Sequence, residues 1–235
     1  MTTPQGFLPS RDAFAFTNAW PVEPCVVLPT PFGQINIGNA ASGLCGGMVF
    51  AALDYWYAGV AAPTARPADG QPLFHFLVQR LVDSWHAPVG VSQYYLCMNL
   101  PDGNTGFEVA GLQLVRDLGL AWRTIKEQWP QIAADLDRGT PTALGLVTTA
   151  SANPADLGLN HQVLAYRYES SPSQVTVHVY DPNSGQDDAV HIQFDPRTPA
   201  KPTTFAHNIN IAHPVRGFFR TPYSPATPPG RPATS

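Results

Sequence analysis

The chain reads as an α+β domain, with a helical first half followed by a mostly antiparallel sheet. Two observations predict this. Before Gly139 the apolar residues recur mainly at three- and four-residue spacing, and after it the period falls to two or to short apolar runs between turn residues. At 235 residues, 44% hydrophobic and only 13% charged, the chain is also long and apolar enough to bury a substantial core.

The first helix follows the stretch NAASGLCGGMVFAALDYW, Asn39 to Trp56, where a polar loop gives way to Val49, Leu53 and Trp56 at helical spacing. Leu73, Phe76, Leu77, Leu81 and Trp85 line one face of a second helix. A third is expected from about Phe107 to Leu118, ending at Gly119. A fourth carries Ile125, Trp129, Ile132 and Leu136 and closes at Gly139, with Pro130 separating or kinking its first turn. Strands are expected at Thr142 to Val147, His161 to Glu169, Gln174 to Asp181, Ala189 to Phe194, His207 to Ala212 and Val215 to Phe219.

The 25 prolines cluster at the edges, and from Thr221 the sequence TPYSPATPPGRPATS has almost no apolar content. Residues 1–220 therefore form one domain, and residues 221–235 are expected to be a disordered tail. Phe14, Phe16 and Trp20 imply that part of the N-terminal segment packs on the body.

Composition excludes several functions. A net charge of −4 offers no basic footprint for nucleic acid or an anionic membrane. No apolar run approaches the roughly 18 residues needed to span a bilayer, and the N-terminus lacks the pattern of a signal peptide. The expectation is a cytoplasmic protein, or one exported without a signal peptide. Cys25, Cys45 and Cys97 are too few and wrongly spaced for a disulfide framework or a zinc site. No metal or cofactor motif appears: Asp187 to His191 reads as a solvated turn, and there is no phosphate loop or dinucleotide fingerprint.

One set of residues carries chemistry. If a helix starts near Gly43 or Leu44, Cys45 lies in its first turn, where unpaired N–H groups and the helix dipole stabilise a thiolate. Gly46 and Gly47 are poor helix formers, which suggests that another group approaches the backbone there, as a substrate carbonyl would at an oxyanion hole built on the Cys45 N–H. The alternative is a small buried cysteine beside a tight helix crossing. His161 opens one strand and Asp181 ends the next. A simple fold-back about Ser171 and Pro172 puts residue 182 opposite His161, flanked by Asp181 and Asn183. A carboxylate or amide there fixes an imidazole tautomer. His207 and His213 are weaker candidates for a base, and Asp54 suits an inter-helix hydrogen bond.

With the segment Trp129, Ile132, Leu136, Gly139, Pro141, and then H-x-V-L-A-Y and Y-D-P-N, this pattern resembles the papain-like cysteine peptidase superfamily. Within it, the chain is most similar to the bacterial branch of leader-processing peptidases with the order Cys, His, Asp. The resemblance implies a papain-like fold without a cofactor, a peptide or protein substrate, Cys45 as nucleophile, His161 as base and Asp181 as orienting acid. Asn39 stands six positions before the cysteine, where papain has its glutamine oxyanion donor, and Gln34 is the alternative. Papain's tryptophan after the cysteine is Gly46 here. The same machinery serves glutamine deamidases, transglutaminases and cell-wall amidases. A catalytically inactive binding protein on this frame is the competing class. Nothing in the sequence gives the oligomeric state.

Overall fold

The computed structural model describes residues 6–20, 26–30, 33–37, 43–85, 89–109 and 112–230. In order it has a short helix α1 (Pro9–Asp12), a hairpin of β1 (Val26–Thr30) and β2 (Gly33–Ile37), and helices α2 (Cys45–Ala58), α3 (Pro72–Ser84) and α4 (Val89–Met98). A second hairpin pairs β3 (Thr105–Val109) with β4 (Leu112–Asp117). There follow α5 (Leu120–Trp122), a π-helical turn at Arg123–Gln128, and α6 (Trp129–Asp137). The second half is β5 (Thr142–Val147), a 3-10 turn at Pro154–Leu159, β6 (His161–Ser171), β7 (Gln174–Tyr180), β8 (His191–Phe194), β9 (Ala206–His207) and β10 (Gly217–Arg220). These last six strands form one antiparallel sheet in the order β10-β5-β6-β7-β8-β9. The α+β arrangement of helices first and sheet second is as expected.

Helix α2 is the centre of the helical half. Every residue from Gly46 to Trp56 is buried, as befits a helix that is apolar nearly all round. It packs on α3 and on one face of the sheet, where Ala143, Leu164 and Tyr180 join its core cluster. The alternate residues Leu144, Leu146, Val163, Ala165, Val177 and Val179 point to the opposite face, which is closed by Ile125, Ile132 and Leu136. The period of two along β5, β6 and β7 thus divides one sheet between two cores.

The structure differs from the sequence reading in several places. The expected helix from Phe107 to Leu118 is the β3–β4 hairpin, because FEV and LQLV alternate in period two on either side of Ala110 and Gly111. Helix α4 and the β1–β2 hairpin lie where no element was expected. Pro130 stands in the first turn of α6 and leaves the preceding turn separate, one of the two outcomes expected. The turn before it widens to the π form, with the Trp129 N–H bonded back to the Thr124 carbonyl, and Gly139 at φ 71° ends α6.

A further correction concerns the tail. Residues 221–230 lie against α2 and α3, with Thr221 buried and Tyr223 edge-on to Phe50 at 5.2 Å. The Tyr223 hydroxyl and the Ala226 N–H donate to Asp54 at 2.6 and 2.8 Å. Arg80, itself buried and paired to Asp54 at 2.7 Å, donates to the Ser224 carbonyl. Low apolar content was a poor guide here because the segment docks through one tyrosine and through backbone groups that complete a buried ion pair. Residues 231–235 lie outside the described part. No helix among the described residues is long and apolar enough to cross a membrane.

Candidate active site

Cys45 is the first residue of α2 and is only partly buried, at the floor of a cleft of about 560 Å³. His161 is the first residue of β6, and Asp181 follows directly on the last residue of β7. Three separate stretches of chain thus bring their ends to one place.

His161 and Asp181 are both buried, and the imidazole Nε2 donates to Asp181 Oδ1 at 2.8 Å. The simple fold-back is one residue out. The hairpin turns between Gln174 and Ser171, and an irregularity between Ala165 and Arg167 shifts the ladder so that Leu164 pairs with Tyr180. Asp181 still reaches the histidine because its carboxylate is clamped. Besides the imidazole, it accepts the Asn183 N–H at 3.0 Å, the Ser184 hydroxyl at 2.8 Å and the Asn210 N–H at 3.0 Å. Burial alone would raise its pKa, but the hydrogen bond and charge of His161, with the Asn183 and Ser184 donors, hold it below the ordinary value.

With Nε2 committed to Asp181, Nδ1 is the ring nitrogen left for the thiol, and Cys45 and His161 are close enough for each to shift the titration of the other. Burial opposes a thiolate. The charge of His161, its hydrogen bond, and the backbone N–H groups of Gln162 and Gly46 outweigh it, so the Cys45 pKa is lowered. Burial likewise opposes an imidazolium, yet the charge of Cys45 and the hydrogen bonds to Asp181 and Cys45 raise His161 well above its ordinary value. Opposite shifts on two touching groups favour a thiolate–imidazolium pair. Cys97 shows the contrast: burial in an apolar cluster pushes its thiol up to about 11.

The glycines after the cysteine have a packing role. A Cβ on Gly47 would overlap the Leu77 carbonyl of α3, and one on Gly46 would overlap the Ser84 hydroxyl and meet Gln162 Oε1. Helix α3 is a group that approaches the backbone closely there.

Two supporting residues were invisible to sequence reasoning. Asn18 accepts the Leu44 N–H at 2.8 Å and the Trp20 indole N–H at 3.0 Å, and its amide donates to Asn183 at 3.1 Å. Its own N–H donates to the Pro182 carbonyl at 2.8 Å. It therefore ties the residue before Cys45 to the turn that follows Asp181, and Gly43 lacks a Cβ where that side chain passes. Tyr94 on α4 donates to the His161 carbonyl at 3.0 Å, and burial together with the Cys45 charge keeps its own proton firmly bound. Neither residue stands in a pattern a sequence displays, since Leu44, Pro182 and Asn183 for Asn18, and His161 for Tyr94, are all more than 20 residues away.

Asn183 does not orient the histidine; its side chain spans Asn18 and the Asn210 carbonyl. Asn39 lies outside the described residues, as does Cys25, and Gln34 falls within β2 in register with Pro29. Asp54 holds Arg80 and the C-terminal segment, His213 lines the cleft, and His207 sits in β9 at the sheet edge. Among the described residues no group of three or more His, Cys, Asp or Glu side chains could hold a metal ion.

No family model, no curated protein and no solved structure matches the chain.

Proposed function

We propose that the protein is a papain-like cysteine hydrolase that cleaves peptide bonds. The observation that carries this reading is His161 held between Cys45 and Asp181, with a buried 2.8 Å bond on the carboxylate side and a thiol of lowered pKa on the other. An inert structural cysteine needs neither the histidine nor the acid behind it.

The Cys45 thiolate attacks the amide carbonyl carbon, and the carbonyl electron pair moves to oxygen. In this reading the Cys45 N–H at the head of α2 donates to that oxyanion, with Asn39 as the expected side-chain donor. As the intermediate collapses, the C–N bond breaks and the amine leaves with the proton from His161 Nδ1, which gives a thioester on Cys45. Water then attacks the thioester as His161 takes its proton, and the acid product and the thiol form are released. Asp181 stays ionised throughout, holding Nε2–H and compensating the imidazolium.

The test is hydrolysis of a mixed peptide library, read by mass spectrometry, by the full chain and by Cys45→Ala. Cleavage by the first and none by the second supports the reading. Equal cleavage by both, or transfer to an added amine in place of hydrolysis, refutes it.

A further inference from the structure

The cleft around Cys45 and His161 carries no Asp, Glu, Lys or Arg side chain among the described residues. Its walls are Leu81 and Trp85 from the α3 side, Leu157 and Leu159 from the 3-10 turn, and Ile211 from the loop before β10. Trp85, Leu157 and Ile211 are half-buried, and Leu159 is 39% exposed, so apolar surface stands in water beside the thiol. The cleft volume of about 560 Å³ suits a small number of side chains.

Several polar groups of the lining are already engaged with one another, while Gln162 Oε1 is buried without a hydrogen-bond partner. Asn18 and Asn183 bond each other. Asn160 donates to the Leu157 carbonyl and accepts the Thr148 N–H, while the Thr148 hydroxyl donates to the Leu159 carbonyl. Among the described lining residues the titratable side chains are Cys45, Tyr94, His161 and His213, which offer no fixed charge beyond the Cys45–His161 pair itself. A charged substrate side chain, or a chain terminus, would give up water here and find no counter-ion. An apolar side chain would cover the walls and gain their burial.

Resting on the function proposed above, we infer that the site takes internal peptide segments whose side chains next to the scissile bond are uncharged and apolar. It discriminates against charged acyl groups, including the acidic and amino-bearing stem peptides of cell walls, and against free chain termini. This separates peptide cleavage from cell-wall amidase chemistry, which use the same Cys, His, Asp set.

The experiment measures inactivation of the full chain by four tripeptidyl acyloxymethyl ketones that differ only in the residue next to the reactive group: Leu, Phe, Lys or Glu. Labelling of Cys45 is read by intact mass, and iodoacetamide alkylation against pH runs alongside. Leu and Phe are expected to react at least about tenfold faster than Lys and Glu. Leu159→Asp, which touches none of the catalytic groups, should narrow the gap for Lys. Equal rates, a preference for Lys, or a preference for Glu through His213 overturns the inference while an activated iodoacetamide profile leaves the hydrolase reading standing. A Cys45 that is activated toward iodoacetamide yet takes none of the four probes overturns it as well. An ordinary iodoacetamide profile removes the hydrolase reading and this inference together.

Discussion

Asn18 Oδ1 accepts the Leu44 N–H at 2.8 Å, and the same side chain donates to Asn183 at 3.1 Å, so one amide near the N-terminus joins the start of the Cys45 helix to the turn after Asp181. The geometry of the Cys45, His161, Asp181 set depends on that join. Asn18→Ala leaves the Leu44 and Trp20 N–H groups without their acceptor and should cost about 1–3 kcal/mol of stability. It should also slow Cys45 alkylation at pH 6. Asn18→Asp keeps the acceptor and loses only the donation to Asn183, so it should recover most of both quantities. Urea denaturation and alkylation rates measure them, and an unaltered alkylation rate in Asn18→Ala would show that the join is merely structural.

Gly47 tests whether the glycines serve packing. Gly47→Ala gains about 1 kcal/mol in helix propensity, but its Cβ meets the Leu77 backbone, which cannot rotate away. A net loss of about 1–3 kcal/mol is expected. The denaturation midpoint should therefore fall. A rise would mean that α3 can yield.

The docked C-terminal segment makes a separate prediction. Tyr223→Phe removes one of the donors to buried Asp54, at a cost of about 1–3 kcal/mol, while Arg80 remains its ion-pair partner. Denaturant unfolding should register the loss. Alkylation of Cys45 should not change, because Asp54 lies nine residues along α2 from the thiol.

Acid stability follows from Asp181. Its folded-state pKa is depressed below the ordinary 3.8, so its contribution is fully present above that value and is lost as pH falls through the folded value. His161 runs the other way. Its raised pKa contributes stability below the ordinary imidazole value, and this is lost as pH rises through the folded value. Asp181→Asn should therefore flatten the acid limb of a stability–pH curve below about pH 4, and should lower the basicity of His161 by removing its carboxylate. A mutant with the wild-type acid limb would contradict this account of the clamp.

Much of this was legible in the sequence for physical reasons. The Cys45 helix, the second helix around Leu77 and Leu81, and the strands from Thr142 to Tyr180 carry strong periodicities, because each presents one face or both to a core. His161 and Asp181 could be brought together from a hairpin turn alone, since the one-residue shift between Ala165 and Arg167 is within reach of a side chain. The β3–β4 hairpin was misread because a short run such as FEVAGLQLV satisfies both periods. The docking of Thr221 to Gly230 was hidden because its partners, Asp54, Arg80 and Tyr55, lie far back in the chain, and backbone donors leave no trace in composition. Asn18 was hidden for the same reason.

The most direct test of the central claim is the rate of Cys45 alkylation by iodoacetamide against pH in a Cys25→Ser/Cys97→Ser background, with and without His161→Ala. The account predicts reaction well below the ordinary thiol range of about 8.5, with the His161→Ala profile displaced to or above that range as burial is left unopposed. Superimposable profiles at an ordinary thiol pKa in both proteins would contradict it and make Cys45 a structural residue.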